Sequence, residues 1–229
     1  MTEVIPAILV DDFIELKEKL SQVVGLAKTV QIDICDGKFV KSTSWPIGSK
    51  NIDSVESILN EEDGLPFWDS VDFEFDLMVR NAHTQFDFFI KLGAKRIIFH
   101  LEAEGDLDRF NEFLEAIDMY TRENVDIGVA INTNTDINNL KNIIQNIDFV
   151  QCMGIEKIGY QGEPFDVRVL NQIKTLREIY PELIISVDGS VNETTAPKLV
   201  EAGANRLVVG SALMNSYDVR ATIKELENL

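Results

Sequence analysis

Segments with strand periodicity and segments with helical periodicity alternate about eight times along the 229 residues, which constrains the fold more than any single motif. The pattern predicts strands over 4–9, 29–34, 70–79, 96–101, 126–132, 147–153, 183–187 and 206–209. Helices are expected over 13–24, 52–59, 82–92, 107–121, 136–145, 166–180 and 193–202, with a last one after Gly210-Ser211. The pairs Gly93-Ala94 and Gly203-Ala204 stand where helices should end before strands. Eight parallel βα units in a chain of this length predict one domain over 1–229, a single-domain (β/α)8 TIM barrel of the α/β class.

The composition narrows the partners. A hydrophobic share of 45% supplies one large core, while a formal charge of -18 argues against nucleic acid and against an anionic membrane surface. With two cysteines, no signal-like segment and no apolar run near 18 residues, a cytoplasmic protein with no membrane partner is expected. Cys35 and Cys152 read as small apolar strand residues.

The stretch Val30 to Val40, V-Q-I-D-I-C-D-G-K-F-V, breaks the rule that parallel strands are apolar on both faces. Strand alternation turns Val30, Ile32 and Ile34 one way and Gln31 and Asp33 the other, so an acid faces inward just before the Asp36-Gly37 turn. In 70–79, Val71, Phe73, Phe75 and Leu77 share one face and Asp72, Glu74 and Asp76 the other; Asp72, at the strand start, reads as solvated.

Active sites of such barrels lie at the C-terminal strand ends. The inward residues near those ends are Ala7, Gln31, Asp33, Asp76, His100, Asn132, Met153 and Asp188. Three carboxylates pointing at one mouth need protons or a divalent cation to offset them, and a cation is favoured. Small-residue loops follow the sixth, seventh and eighth strands: Gly159, Tyr160, Gln161 and Gly162, then Gly189 and Ser190, then Gly210 and Ser211. Backbone N–H groups in such loops suit phosphate. His100 reads equally as a packed core histidine or a site residue, and His83 as a solvated residue near a helix start. Lys38, Lys41 and Lys157 lie on loops at the same end, where one could attract phosphate.

These motifs resemble one family nearly end to end, the ribulose-phosphate 3-epimerases. Ala7-Ile8-Leu9 to Phe13 is similar to its S-I-L-S-A-D-F opening, Gln31 to Val40 to H-x-D-x-M-D-G-x-F-V, and Phe75 to Met78 to x-H-L-M. Phe99 to Ala103 resembles H-x-E-A, Gly159 to Phe165 G-F-G-G-Q-x-F, Val187 to Val191 V-D-G-G-V, and Val209 to Leu213 A-G-S-A-V.

The resemblance implies inversion of carbon 3 of a phosphorylated ketose, D-ribulose 5-phosphate to D-xylulose 5-phosphate, through an enediolate. Asp33 and Asp188 would be the acid/base pair, a divalent metal would hold the enediolate oxygens, and the resemblance also implies a homo-oligomer. Gln31 and Asp76 stand at the family's two His ligand positions, so the implied metal set is Gln31, Asp33, Asp76 and Asp188. An oxygen-only set favours Mg or Mn over Zn. Ala7 stands for a family Ser, Cys35 for the Met of M-D-G, Ser190 for the second Gly of D-G-G, and Glu156-Lys157 for Asn-Pro. Two alternatives are a phosphosugar-binding barrel without catalysis or metal, and an isomerase or aldolase acting on another sugar phosphate. A Schiff-base aldolase would need an inward Lys at a strand end, and none is read there.

Overall fold

The computed structural model describes residues 2–47, 52–160 and 162–229. Gln161, one of the predicted substrate contacts, and Gly48 in the loop after the second strand lie outside the described residues. Eight parallel strands close into a barrel in the order of the sequence: β1 (Glu3–Ile8), β2 (Thr29–Cys35), β3 (Asp72–Met78), β4 (Ala94–His100), β5 (Asp126–Ile131), β6 (Phe149–Met153), β7 (Ile184–Asp188) and β8 (Arg206–Val209), with β8 pairing back to β1. The fold is a (β/α)8 TIM barrel.

Around it stand α1 (Phe13–Val23), α2 (Ile52–Leu59), α3 (Phe86–Lys91), α4 (Leu107–Ala116), α5 (Met119–Asn124), α6 (Arg168–Ile179), α7 (Ala196–Ala202), α8 (Ser211–Met214) and α9 (Val219–Glu227). Aspartates begin several of these: Asp12, Asp106, Asp118 and Asp218 each accept a backbone N–H from the first turn of α1, α4, α5 and α9. The helix expected over 107–121 is broken at Ile117, where the backbone is extended and Asp118 starts a new helix. The helix expected over 136–145 is replaced by two short 3-10 segments, Ile137–Leu140 and Ile144–Asn146. The segment 82–92 opens with a 3-10 turn, Ala82–Gln85, before α3.

Alternation sorts the strand residues into two environments. Val30, Ile32, Ile34, Phe73, Phe75, Leu77, Ile97 and Phe99 join the large cluster that packs the barrel against its helices. The inner face is mixed. Ile98, Ala130, Phe149 and Met153 form one apolar group and Ile5, Ala7 and Val208 another, while Gln31, Glu74, Asp76, His100, Gln151 and Ser186 are fully buried polar residues. Gly128 makes room for this filling: a Cβ there would lie 2.4 Å from the Phe149 ring.

The N-terminal end of the barrel is occupied by an ionic cluster. Glu3 binds Arg96 at 3.1 Å and Arg206 at 2.9 Å, and Arg96 also reaches Glu74 at 3.5 Å. Burial pushes Glu74 up to about 7, against the pull of the two arginines. Asp72 at the strand start is part-exposed, 3.6 Å from Lys28, as a solvated position should be. No helix among the described residues is long and apolar enough to cross a membrane.

Candidate active site

The C-terminal end of β2 is fixed from both sides. Ser44 Oγ donates to the Asp33 carbonyl at 2.7 Å and accepts from the Cys35 N–H at 2.8 Å. Asp36 Oδ1 accepts the N–H groups of Lys38 and Phe39, and its Oδ2 that of Arg80. Those backbone bonds outweigh partial burial, so the Asp36 carboxyl sits below its ordinary range. The turn after β2 is thereby pinned to the end of β3, and Asp33 is held on a rigid strand.

The register sets Asp33 beside Asp76, and Asp188 at the end of β7 next to Met153 and Val208. One ligand oxygen from each of Asp33, Asp76 and Asp188 lies within 4.8 Å of the others. The Gln31 amide joins two of them: Nε2 lies 2.7 Å from Asp33 Oδ1 and 2.9 Å from Asp188 Oδ2. The third is paired separately, with His100 Nε2 2.9 Å from Asp76 Oδ1 and the Phe39 ring 5.5 Å from the imidazole.

Burial and like charge set the protonation of this group. Burial first, then the charges of Asp188 and Asp76, hold Asp33 well above the usual carboxylate range. Burial and the charge of Asp76 push Asp188 up to about 7, with the Gln31 hydrogen bond opposing. At His100, burial alone would favour the neutral ring, but the charge and hydrogen bond of Asp76 win and raise its pKa. Burial pushes the Cys35 thiol up to about 12 and the Cys152 thiol upward as well, so both behave as apolar strand residues.

This donor set suits a hard divalent cation. Three carboxylates converge, and Asp76 Oδ2 is buried without a hydrogen-bond partner. Gln31, expected to offer its amide oxygen to a metal, is oriented the other way here. The amide nitrogen faces the acids, since carboxylate oxygens accept from N–H donors and repel a carbonyl oxygen, and Oε1 is buried without a partner.

Above the carboxylates opens a cavity lined by Ala7, Asp33, Met153, Gly159, Tyr160, Gly162, Asp188, Gly189, Ser190, Gly210 and Ser211, which brings together every described substrate contact predicted from the sequence. Leu9, Met78, Ile155 and Glu163 also line it. Leu9 stands two residues after Ala7 and Met78 two after Asp76 on the inward alternation, and Glu163 ends the G-Y-Q-G-E run, so position alone could have indicated them. No Lys, Arg or His lines this cavity among the described residues.

Other candidates fall elsewhere. Lys38 is exposed and away from the cavity, while Lys41, Lys157 and Asn132 line a neighbouring pocket that shares Tyr160 and Glu163 with it. His100 is paired with Asp76 and wholly buried. His83 is not solvated: its Nδ1 pairs closely with buried Glu104, and its ring packs against Phe110 and Phe113. A solvated reading failed there because Glu104, 21 residues away, supplies an acid that the local sequence does not display.

Comparison with known proteins identifies the family. A family model described as the ribulose-phosphate 3 epimerase family matches residues 3–214. The chain is 32% identical to a ribulose-phosphate 3-epimerase of Bacillus subtilis, covering 99% of this chain and 98% of that one. It is 27% identical to one of Eremothecium gossypii, covering 97% and 90%. Among solved structures, a 3-keto-L-gulonate-6-phosphate decarboxylase from Vibrio cholerae matches at a TM-score of 0.69 and 12% identity over 100% of this chain and 97% of that one, a likeness of fold alone. By the span of the family model and by its full-length relatives, the chain belongs to the ribulose-phosphate 3-epimerase family, a family of carbohydrate-phosphate epimerases.

Proposed function

We propose that the chain inverts carbon 3 of a phosphorylated ketose, D-ribulose 5-phosphate to D-xylulose 5-phosphate, with Asp33 and Asp188 as its two proton-transfer groups. The observation that carries this reading is the pair itself. Two carboxyls, on strands three apart around the barrel, line one cavity, and burial raises the proton affinity of both, helped at Asp33 by the charges of Asp188 and Asp76 and at Asp188 by the charge of Asp76.

A proton on carbon beside a ketone is removed by a base on one face, leaving a planar enediolate. Inversion requires that a proton return from the other face, so one carboxyl must start ionised and the other protonated. Like charges held this close favour that mixed state, because the first ionisation raises the cost of the second. After one turnover the two have exchanged roles, which suits a reversible reaction between epimers.

Asp33, Asp76 and Asp188 would hold a divalent cation, with Mg or Mn suited to the oxygen donors. When bound, it would supply positive charge against the negative charge that develops on the substrate oxygens. The loops at Gly189-Ser190 and Gly210-Ser211 would take the phosphate through backbone N–H groups, since no cationic side chain lines the cavity among the described residues.

The test is NMR of ribulose 5-phosphate in heavy water with the protein, in chelator, Mg and Mn. Deuterium at carbon 3 with xylulose 5-phosphate appearing supports the reading, and Asp33→Asn and Asp188→Asn should each lower the rate by about 100-fold to 10,000-fold. Absence of exchange in every condition would overturn it.

A further inference from the structure

We propose that Gln31 is an internal tie that competes with a divalent cation for Asp33 and Asp188, so that metal enters this site only by displacing the amide. The inference shares with the proposed function only the assumption that these carboxylates hold the metal, and its test does not depend on turnover.

Both hydrogens of the Gln31 amide nitrogen are directed at carboxylates, one on its own strand and one on β7, at 2.7 and 2.9 Å. The Gln31 side chain is fully buried, so its amide has no solvent partner to turn to. A half-turn of the amide would aim Oε1 at a carboxylate and at a second carboxyl group, and leave the NH2 group where Oε1 now stands without a partner. Without a cation the present orientation is therefore held, because the reverse one leaves buried donors and acceptors mismatched.

A cation among Asp33, Asp76 and Asp188 would draw electron density from the same carboxyl groups that the amide engages, and would repel its N–H hydrogens. Asp33 Oδ1 and Asp188 Oδ2 are already engaged by Gln31, as Asp76 Oδ1 is by His100. Whatever free energy the two amide bonds give the metal-free form is subtracted from metal affinity, since a ligand gains only by its preference between the two states. An imidazole in place of the amide can present a nitrogen lone pair to a metal; the NH2 group has none to offer. In this orientation Gln31 competes with a cation rather than ligating it.

Gln31→Met keeps a comparable volume and removes both donors. The expected result is Mn2+ binding at least tenfold tighter than in the wild type, measured by calorimetry and by the electron paramagnetic resonance signal of free Mn2+. Equal or weaker binding by the variant, or binding by neither protein, would overturn the proposal. A second measurement needs no variant to fold: the side-chain 15N–1H2 resonances of Gln31 in the wild type should shift as Mg2+ is titrated to saturation. Resonances that stay fixed at saturation would refute displacement of the amide. If Gln31→Met does not fold, Gln31→Glu serves in its place, with tighter Mn2+ binding expected again because the donors are lost and a charge is gained. Gln31→Glu binding no more tightly than the wild type would likewise overturn the proposal.

Discussion

His100 Nε2 lies 2.9 Å from Asp76 Oδ1, with both side chains fully buried inside the barrel. The imidazole gives the third carboxylate a partner that does not come from solvent, just as Gln31 gives one to the other two. Removing one member of a buried pair leaves the other uncompensated, at a typical cost of about 3–5 kcal/mol. His100→Ala should therefore lower the unfolding free energy by about that amount in urea denaturation. His100→Ala with Asp76→Asn should lose less than the sum of the two single changes, and strict additivity would show that the pair is not coupled.

Asp166 joins two loops at the mouth, and its charge should show in the acid limb of stability. Its carboxylate accepts from the Arg168 guanidinium at 2.9 and 3.0 Å and from Thr133 Oγ1 at 2.8 Å, while its own N–H donates to the Gly154 carbonyl. The Arg168 hydrogen bond first, with the Thr133 contact helping, lowers Asp166 to about 2. A folded pKa below the unfolded value of about 3.9 means stability that is present above pH 4 and lost as pH falls from about 4 towards 2. Asp166→Asn should have a lower urea midpoint than the wild type at pH 7, with the gap narrowing by pH 3. A gap that is constant with pH would disprove the assignment.

The parts of this molecule that follow from local periodicity were open to reading, and the parts that depend on distant partners were not. Alternation in Val71 to Leu77 separated the helix-facing phenylalanines from Glu74 and Asp76, which are now barrel-interior residues. The helix over 52–59 and the strand over 206–209 match residue for residue. In 136–145 the apolar residues Ile137, Leu140, Ile143 and Ile144 fit an α-helical face, so periodicity alone did not reveal the two 3-10 segments. Three asparagines in the same stretch, Asn138, Asn139 and Asn142, compete for backbone hydrogen bonds and favour turns. The Gln31 contact to Asp188 spans 157 residues, and no spacing rule could supply it.

Ser190 occupies a backbone conformation that suits glycine, with φ at 55°. Left-handed geometry costs a non-glycine residue roughly 1–2 kcal/mol, part of which is returned because glycine loses more chain entropy on folding, about 0.5–1 kcal/mol. The Ser190 carbonyl also accepts from Thr195 Oγ1 at 2.8 Å and Asn192 Nδ2 at 3.0 Å, contacts that do not need the side chain. Ser190→Gly should thus raise stability by up to about 1 kcal/mol in chemical denaturation. A loss of stability would mean that the hydroxyl makes a contribution larger than the strain.

Glu163 faces the same cavity as Asp33 and Asp188, so three acids and no cationic side chain line it among the described residues. A phosphate dianion held by backbone N–H groups near Ser190 and Ser211 would feel that third carboxylate directly. Two unit charges about 8 Å apart at an effective dielectric of about 20 interact by about 2 kcal/mol, and solvent at an open mouth reduces this. Removing the charge while keeping the shape, as in Glu163→Gln, should therefore tighten the binding of inorganic phosphate and of a ketose phosphate by about threefold to tenfold. The gain should shrink as salt is raised, because a screened charge has less to lose. Calorimetric titration of both proteins at low and high ionic strength would check this. Equal affinity at low salt would mean that Glu163 points its charge to solvent and that the anion is bound by the backbone alone.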